Sequence, residues 1–120
     1  MQSVEPTTTI THSDILAQIP VGECKVYHVG DDVYVYCNNT DNTTITLPTV
    51  EAKHDIFQIF AKPPKFMNLT NCHMGGKFTI PDGTEQVSFV NTTIKGDVII
   101  PNGCIAIYNG CNEIGKEVHN

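Results

Sequence analysis

From residue 24 onward, apolar positions come in short runs that alternate with polar ones or are rich in β-branched and aromatic residues. Both are marks of strands rather than helices. Lys25-Val26-Tyr27-His28-Val29 and Val33-Tyr34-Val35-Tyr36-Cys37 are two such runs, and Gly30-Asp31-Asp32 between them reads as a hairpin turn. Thr43-Thr44-Ile45-Thr46-Leu47 and Asp55-Ile56-Phe57-Gln58-Ile59-Phe60 follow, separated from their neighbours by the polar stretch 38–42 and by Lys62-Pro63-Pro64-Lys65. This alternation suits antiparallel pairing, and the two prolines must interrupt it. Upstream, His12 to Gln18 predicts a short helix capped by Thr11 or Ser13, with Asp14 in its first turn and Pro20 ending it. Residues 1–12 hold little to bury and predict an extended arm.

Beyond Phe66 the runs shorten and begin to repeat. An aliphatic residue followed by proline precedes a strand four times: Ile19-Pro20-Val21-Gly22, Leu47-Pro48, Ile80-Pro81-Asp82-Gly83 and Ile100-Pro101-Asn102-Gly103. The last two stand in gapless register at a spacing of 20 (101 − 81), which places Met67 on Val87, Leu69 on Phe89, Asn71 on Asn91, Met74 on Ile94 and Gly76 on Gly96. A period of this length means stacked supersecondary units. Proline setting φ at the second turn position and glycine easing the exit give each unit a corner, so Pro81, Gly83, Pro101 and Gly103 are read as corner residues. Asn71, Asn91 and Asn109 are expected to stack as an amide ladder. The fold class is therefore all-β. The extended arm (1–12) leads into a short helix plus a small antiparallel β region (13–65), then β-solenoid or β-helix rungs of about 20 residues (66–120), all of 13–120 forming one domain. A short solenoid leaves open strand edges, so the expected state is a closed homo-oligomer, a homotrimer.

Composition narrows the functional classes. Of the 120 residues, 17% are charged and the net charge is −6, with only 7 lysines and arginines in total. No basic stripe is available to displace counterions from phosphates, so nucleic acid is not an expected partner. No apolar run is long enough to insert in a membrane. The five cysteines, Cys24, Cys37, Cys72, Cys104 and Cys111, are an odd number without metal-ligand spacing. They read mainly as small buried apolar residues of a chain folding in a reducing compartment, with a Cys24–Cys37 disulfide as the alternative.

The residues that suggest chemistry mostly fall into the scaffold. Asp82, Glu85, Asp97, Glu113 and Glu117 are the acidic candidates for the carboxylate pair of glycoside hydrolysis. Yet Asp82 matches Asn102 and Asp97 matches Lys77 in the repeat, which marks turn and surface positions. No catalytic, metal-binding or cofactor-binding residue is therefore assigned, and no cofactor is expected. His12, His28, His54, His73 and His119 are scattered, without ligand spacing. Asn-x-Ser/Thr acceptor triplets begin at Asn38, Asn42, Asn68 and Asn91, and a chain this rich in Asn and Thr yields several by composition. Tyr34 and Tyr36 share one side of their strand, opposite Val33 and Val35, and are the candidate carbohydrate contacts.

The Ile/Leu-Pro-x-Gly corners, the Thr-Ile-Thr-Leu-Pro strand at 43–48, the helix-to-strand opening at 14–27 and the short rungs from 66 to 114 together resemble viral fibre, spike and head-decoration proteins, bacteriophage tail and head appendages above all. The resemblance implies a rigid trimeric projection assembled in the host cytoplasm and located on the virion. It implies attachment to a capsid or tail protein, for which the N-terminal arm is the expected anchor, and contact with a host-surface glycan or protein. It implies host attachment or particle stabilisation, with no catalysis. Two other classes remain as expectations: a secreted carbohydrate-binding glycoprotein, and a β-helix carbohydrate-active enzyme.

Overall fold

The computed structural model describes residues 10–120; most of the expected N-terminal arm (1–9) lies outside them. The first element is the helix α1 (His12–Ala17), capped by Thr11, whose side chain accepts from the Asp14 N–H while the Asp14 carboxylate accepts from the Thr11 N–H. This reciprocal box satisfies amide donors that the first turn leaves without helical partners. His12 thus opens the helix rather than closing the arm.

Thirteen strands follow: β1 (Cys24–Val29), β2 (Asp32–Cys37), β3 (Thr44–Thr46), β4 (Glu51–Ala52), β5 (Ile56–Phe60), β6 (Phe66–Thr70), β7 (His73–Met74), β8 (Phe78–Thr79), β9 (Gln86–Val90), β10 (Thr93–Ile94), β11 (Val98–Ile100), β12 (Ile105–Asn109) and β13 (Glu117–His119). They form three sheets, ordered β1-β2-β5-β8-β11-β13, β3-β6-β9-β12 and β4-β7-β10. The chain visits the first, second and third sheet in turn and then climbs one rung, making a three-sided parallel β-solenoid of about four turns. One chain supplies all three faces, so the prism closes without strands from another copy.

The extent of antiparallel structure differs from the sequence expectation. Among the described strands only β1 and β2 pair antiparallel, and every pairing from β2 onward is parallel. The solenoid therefore begins at Asp32, not near residue 66. Its early rungs are longer: Ile56 lies beside Val33 and Phe78 beside Ile56, spacings of 23 and 22 (56 − 33, 78 − 56). Later, Val98 lies beside Phe78 at 20 (98 − 78) and Glu117 beside Val98 at 19 (117 − 98). The extra residues sit at the corners, where 38–43 and 61–65 are stitched by Asn39, which accepts from the Lys62 N–H and donates to the Lys62 carbonyl (3.1 and 2.6 Å).

Three of the four aliphatic-proline phrases adopt one local turn. Pro20, Pro81 and Pro101 accept through their carbonyls from the N–H groups of Glu23, Thr84 and Cys104 (3.0, 3.3 and 3.1 Å), and Gly22, Gly83 and Gly103 have φ of 88°, 91° and 85°. Proline is thus the first residue of the turn, not the second, and glycine is the third, where a type II geometry demands positive φ. Only the second and third of these turns are corners of the solenoid. Leu47-Pro48 falls at a different corner, since Thr46 pairs with Asn68 and leaves Leu47 level with Leu69.

The interior is built of columns. Val33, Ile56, Phe78 and Val98 form one, and Met67, Val87 and the half-buried Ala106 another. Leu69, Phe89 and Tyr108 form a third, in which the Phe89 and Tyr108 rings stack at 5.1 Å. Phe78 meets Phe89 edge-on at 6.0 Å, locking the first sheet to the second. At the corner from third to first sheet, Gly76 and Gly96 let successive rungs touch: a Cβ on Gly96 would lie 2.5 Å from the Gly76 carbonyl carbon. The N-terminal end is covered by β1, tied to β2 by a Cys24–Cys37 disulfide. These two cysteines depart from the reduced reading because antiparallel pairing sets them directly opposite one another.

Candidate functional site

Outward residues of the first sheet lie on one wall of the prism. Alternation along β2 sends Val33 and Val35 inward and Tyr34 and Tyr36 outward. The two tyrosines have different fates. Tyr36 is 3% exposed. Its hydroxyl is paired with His12 Nδ1 at 2.8 Å, and the Tyr27 ring packs edge-on against it at 5.5 Å. Burial, then the neighbouring phenols Tyr34 and Tyr27, push the Tyr36 hydroxyl above the usual tyrosine pKa. Tyr36 therefore anchors α1 and offers no free face to a sugar. Tyr34 is half-buried, and its ring stacks on Phe57 at 4.9 Å and 28°.

The Tyr34–Phe57 stack borders a groove of about 390 Å³ lined also by His12, Lys77, Thr79 and Pro81. Gln58 lies on its floor, its Nε2 donating to the Thr79 carbonyl at 2.9 Å while its Oε1 is buried without a partner. A second groove, about 620 Å³, runs along the third sheet beneath the β1–β2 turn, with Asp31, Glu51, Lys53, His73 and Lys95 on its walls. Here Glu51, His73 and Thr93 occupy one outward column.

The acidic candidates are spread over the prism. Asp82 and Glu85 are exposed at the corner between first and second sheets, Asp97 is exposed at the corner entering β11, and Glu113 precedes Ile114 on the third sheet. Glu117 accepts a hydrogen bond from the Tyr108 hydroxyl and stands 3.4 Å from His119. His54 lies 3.9 Å from Asp31. Among the described residues no three His, Cys, Asp or Glu side chains gather as a metal site.

The corner residues fall where the repeat places them, with one correction. Asn71 and Asn91 have φ of 57° and 50° and occupy equivalent left-handed corners, which asparagine tolerates better than most residues. The next position in that column is Gly110 (φ 66°), not Asn109, because Tyr108 pairs with Phe89 and the last rung is one residue shorter. The column is bonded through the main chain: Asn71 N–H donates to the Val90 carbonyl and Asn91 N–H to the Asn109 carbonyl, both at 2.9 Å. Among the described residues the two side-chain amides form no hydrogen bond with each other.

One set of scaffold residues escaped the sequence reading. Cys72, Thr92 and Cys111 are successive members of the column beside these corners. Each donates to a main-chain carbonyl of the preceding rung: Cys72 Sγ to Pro48 (3.6 Å), Thr92 Oγ1 to Leu69 (3.2 Å) and Cys111 Sγ to Phe89 (3.5 Å). Burial holds the Cys72 thiol above its ordinary pKa. The signal was present in the register of 20, which sets Cys72 on Thr92 and Thr84 on Cys104. Phe57, Thr79 and Lys77 were missed as groove residues because recognising them requires the parallel stacking of β2, β5 and β8.

Of the four acceptor triplets, those at Asn42 and Asn91 have their asparagines exposed between strands. The Asn38 amide donates to the Ile19 carbonyl (2.8 Å) and that of Asn68 to Thr46 Oγ1 (3.3 Å).

The fold and its grooves define the class: a three-sided, single-chain parallel β-solenoid with a disulfide-tied cap and a groove beside an aromatic stack on its first wall. No protein-family model, curated protein or solved structure matches the chain.

Proposed function

We propose that this chain is a structural, non-enzymatic appendage of a virion, a fibre, spike or decoration protein that acts in host attachment or particle stabilisation by assembly and surface contact. The observation that carries this reading is the outer wall of the second sheet. Phe66, Gln86 and Ile105 follow one another in neighbouring strands, and Ile107 stands two residues along β12. Phe66, Ile105 and Ile107 are 40%, 60% and 39% exposed, Ile105 and Ile107 side by side on β12 and Phe66 across Gln86 from them. Exposed apolar side chains on one rigid wall favour burial against another surface, and three copies packed side by side through this wall give a closed homotrimer. The anchor to a capsid or tail protein is assigned to the N-terminal arm. Light scattering on the intact chain tests the assembly: the reading expects a trimer that Ile105→Lys with Ile107→Lys converts to monomer, and a wild-type monomer at micromolar concentration contradicts it.

A second reading, a secreted carbohydrate-binding glycoprotein, is favoured by the Cys24–Cys37 disulfide, which belongs to oxidising compartments. Peptide mapping of protein from its native source tests it. An intact Cys24–Cys37 bond with a glycan on Asn42 supports it, and free thiols at both cysteines count against it.

A further inference from the structure

We infer that the shelf formed by Phe57, Thr79 and Lys77 on the first sheet is a binding subsite for a pyranose ring carrying a carboxylate. The proposal deepens the carbohydrate-contact reading above and rests on it. Tyr34 lies beside Phe57, and Thr79 beside Ile99, in the strand pairing. The pairing of Ile56 with Phe78 puts Phe57 in step with Thr79. The outward column therefore reads Tyr34, Phe57, Thr79, Ile99. Two stacked rings are followed by a small side chain, and the groove of about 390 Å³ opens at that step. Strands lie about 4.8 Å apart, close to ring-stacking separation, so a flat ring seated over Thr79 continues the aromatic column.

The polar groups define the ligand further. An aromatic face meets the C–H face of a pyranose, while the exposed Thr79 hydroxyl both donates and accepts toward ring hydroxyls. Lys77, just before β8, and Thr79 within it flank the buried Phe78, and both are exposed. The Lys77 ammonium forms no ion pair among the described residues. The main-chain N–H of Lys77 donates to Asp55 Oδ1 at 2.9 Å, and the ammonium, beside the aromatic shelf, is the group there that can pair with a carboxylate and so favour a charged sugar over a neutral one. His12, paired through Nδ1 with the Tyr36 hydroxyl, lines the far side of the groove.

The test is an amide-shift titration of the full isotope-labelled chain with glucuronate, glucose and acetate. Glucuronate is expected to shift amides of residues 57–59 and 77–79, with a Kd on the order of 1 mM. Glucose should bind at least about tenfold more weakly, and acetate should leave these amides unmoved. Thr79→Phe fills the shelf from the solvent side and should abolish the shifts while thermal unfolding stays unchanged. Lys77→Gln should reduce glucuronate to the strength of glucose, and it keeps the test decisive if Thr79→Phe misfolds. Equal response to glucose and glucuronate overturns the carboxylate assignment. Shifts that survive Thr79→Phe in a folded protein, or no shifts at 57–59 and 77–79 with any probe, overturn the subsite. A null titration with a mapped disulfide and glycan refutes the shelf alone, whereas free thiols refute the broader reading.

Discussion

Thr92 is wholly buried, and its hydroxyl hydrogen-bonds the carbonyls of Leu69 (3.2 Å) and Val90 (3.1 Å), so it ties one rung to the next as well as filling space. Cys72 and Cys111 make the same kind of bond with a weaker donor. Thr92→Val, nearly the same in volume, should therefore lower stability by about 1 kcal/mol, read as a fall in the urea midpoint at constant slope. Thr92→Cys should lose less. An unchanged midpoint for the valine variant would show that the hydroxyl is incidental. The residue scale also shows what the sequence made legible. Asn71 over Asn91 and Gly83 over Gly103 are visible as repeats because each needs positive φ, and few residue types tolerate it. The fate of Tyr36 was not legible: nothing local distinguishes it from Tyr34 two residues earlier, and only the seating of α1, which brings His12 to its hydroxyl, buries it.

At the scale of elements, the final rung is where packing and titration meet. Tyr108 in β12 stacks on Phe89 and donates its hydroxyl to Glu117 in β13. Burial first, and then the bond and charge of Glu117, hold the phenol above its usual pKa. A raised phenol pKa means that the folded state favours the neutral form. Its contribution is complete below the unfolded value of about 10 and is lost as pH rises through the folded value. Tyr108→Phe should therefore flatten the loss of stability on going above about pH 10, measured by denaturant melts across that range. A variant as alkali-sensitive as the wild type would place the sensitivity elsewhere. Element by element, legibility followed rung length. The rungs spaced by 20 align without gaps, so β6 to β11 could be stacked from sequence. The 22- and 23-residue rungs carry corner insertions at 38–43 and 61–65, which hid the parallel pairing of β2, β3 and β5 and suggested hairpins. The Cys24–Cys37 disulfide was legible as an alternative, and the hairpin register that sets the two cysteines opposite one another decides for it.

As a whole molecule, the chain is a prism with stacked internal columns, a tied cap over its N-terminal end and three outer walls of different character. The first wall carries the aromatic groove, the third a mixed-charge groove, and the second the exposed side chains of Phe66, Ile105 and Ile107. Architecture was legible because it follows from repeat spacing and turn chemistry. The walls were not, since their composition depends on which side chains from distant rungs stand side by side. Function on this account lies in the walls, and assembly through the second wall is its central claim. Native mass spectrometry of the intact chain at micromolar concentration tests that claim most directly. The account predicts a dominant species at three times the 13.2 kDa chain mass, reduced to single chains by Ile105→Lys with Ile107→Lys. Only 13.2 kDa species in the wild-type protein would contradict it.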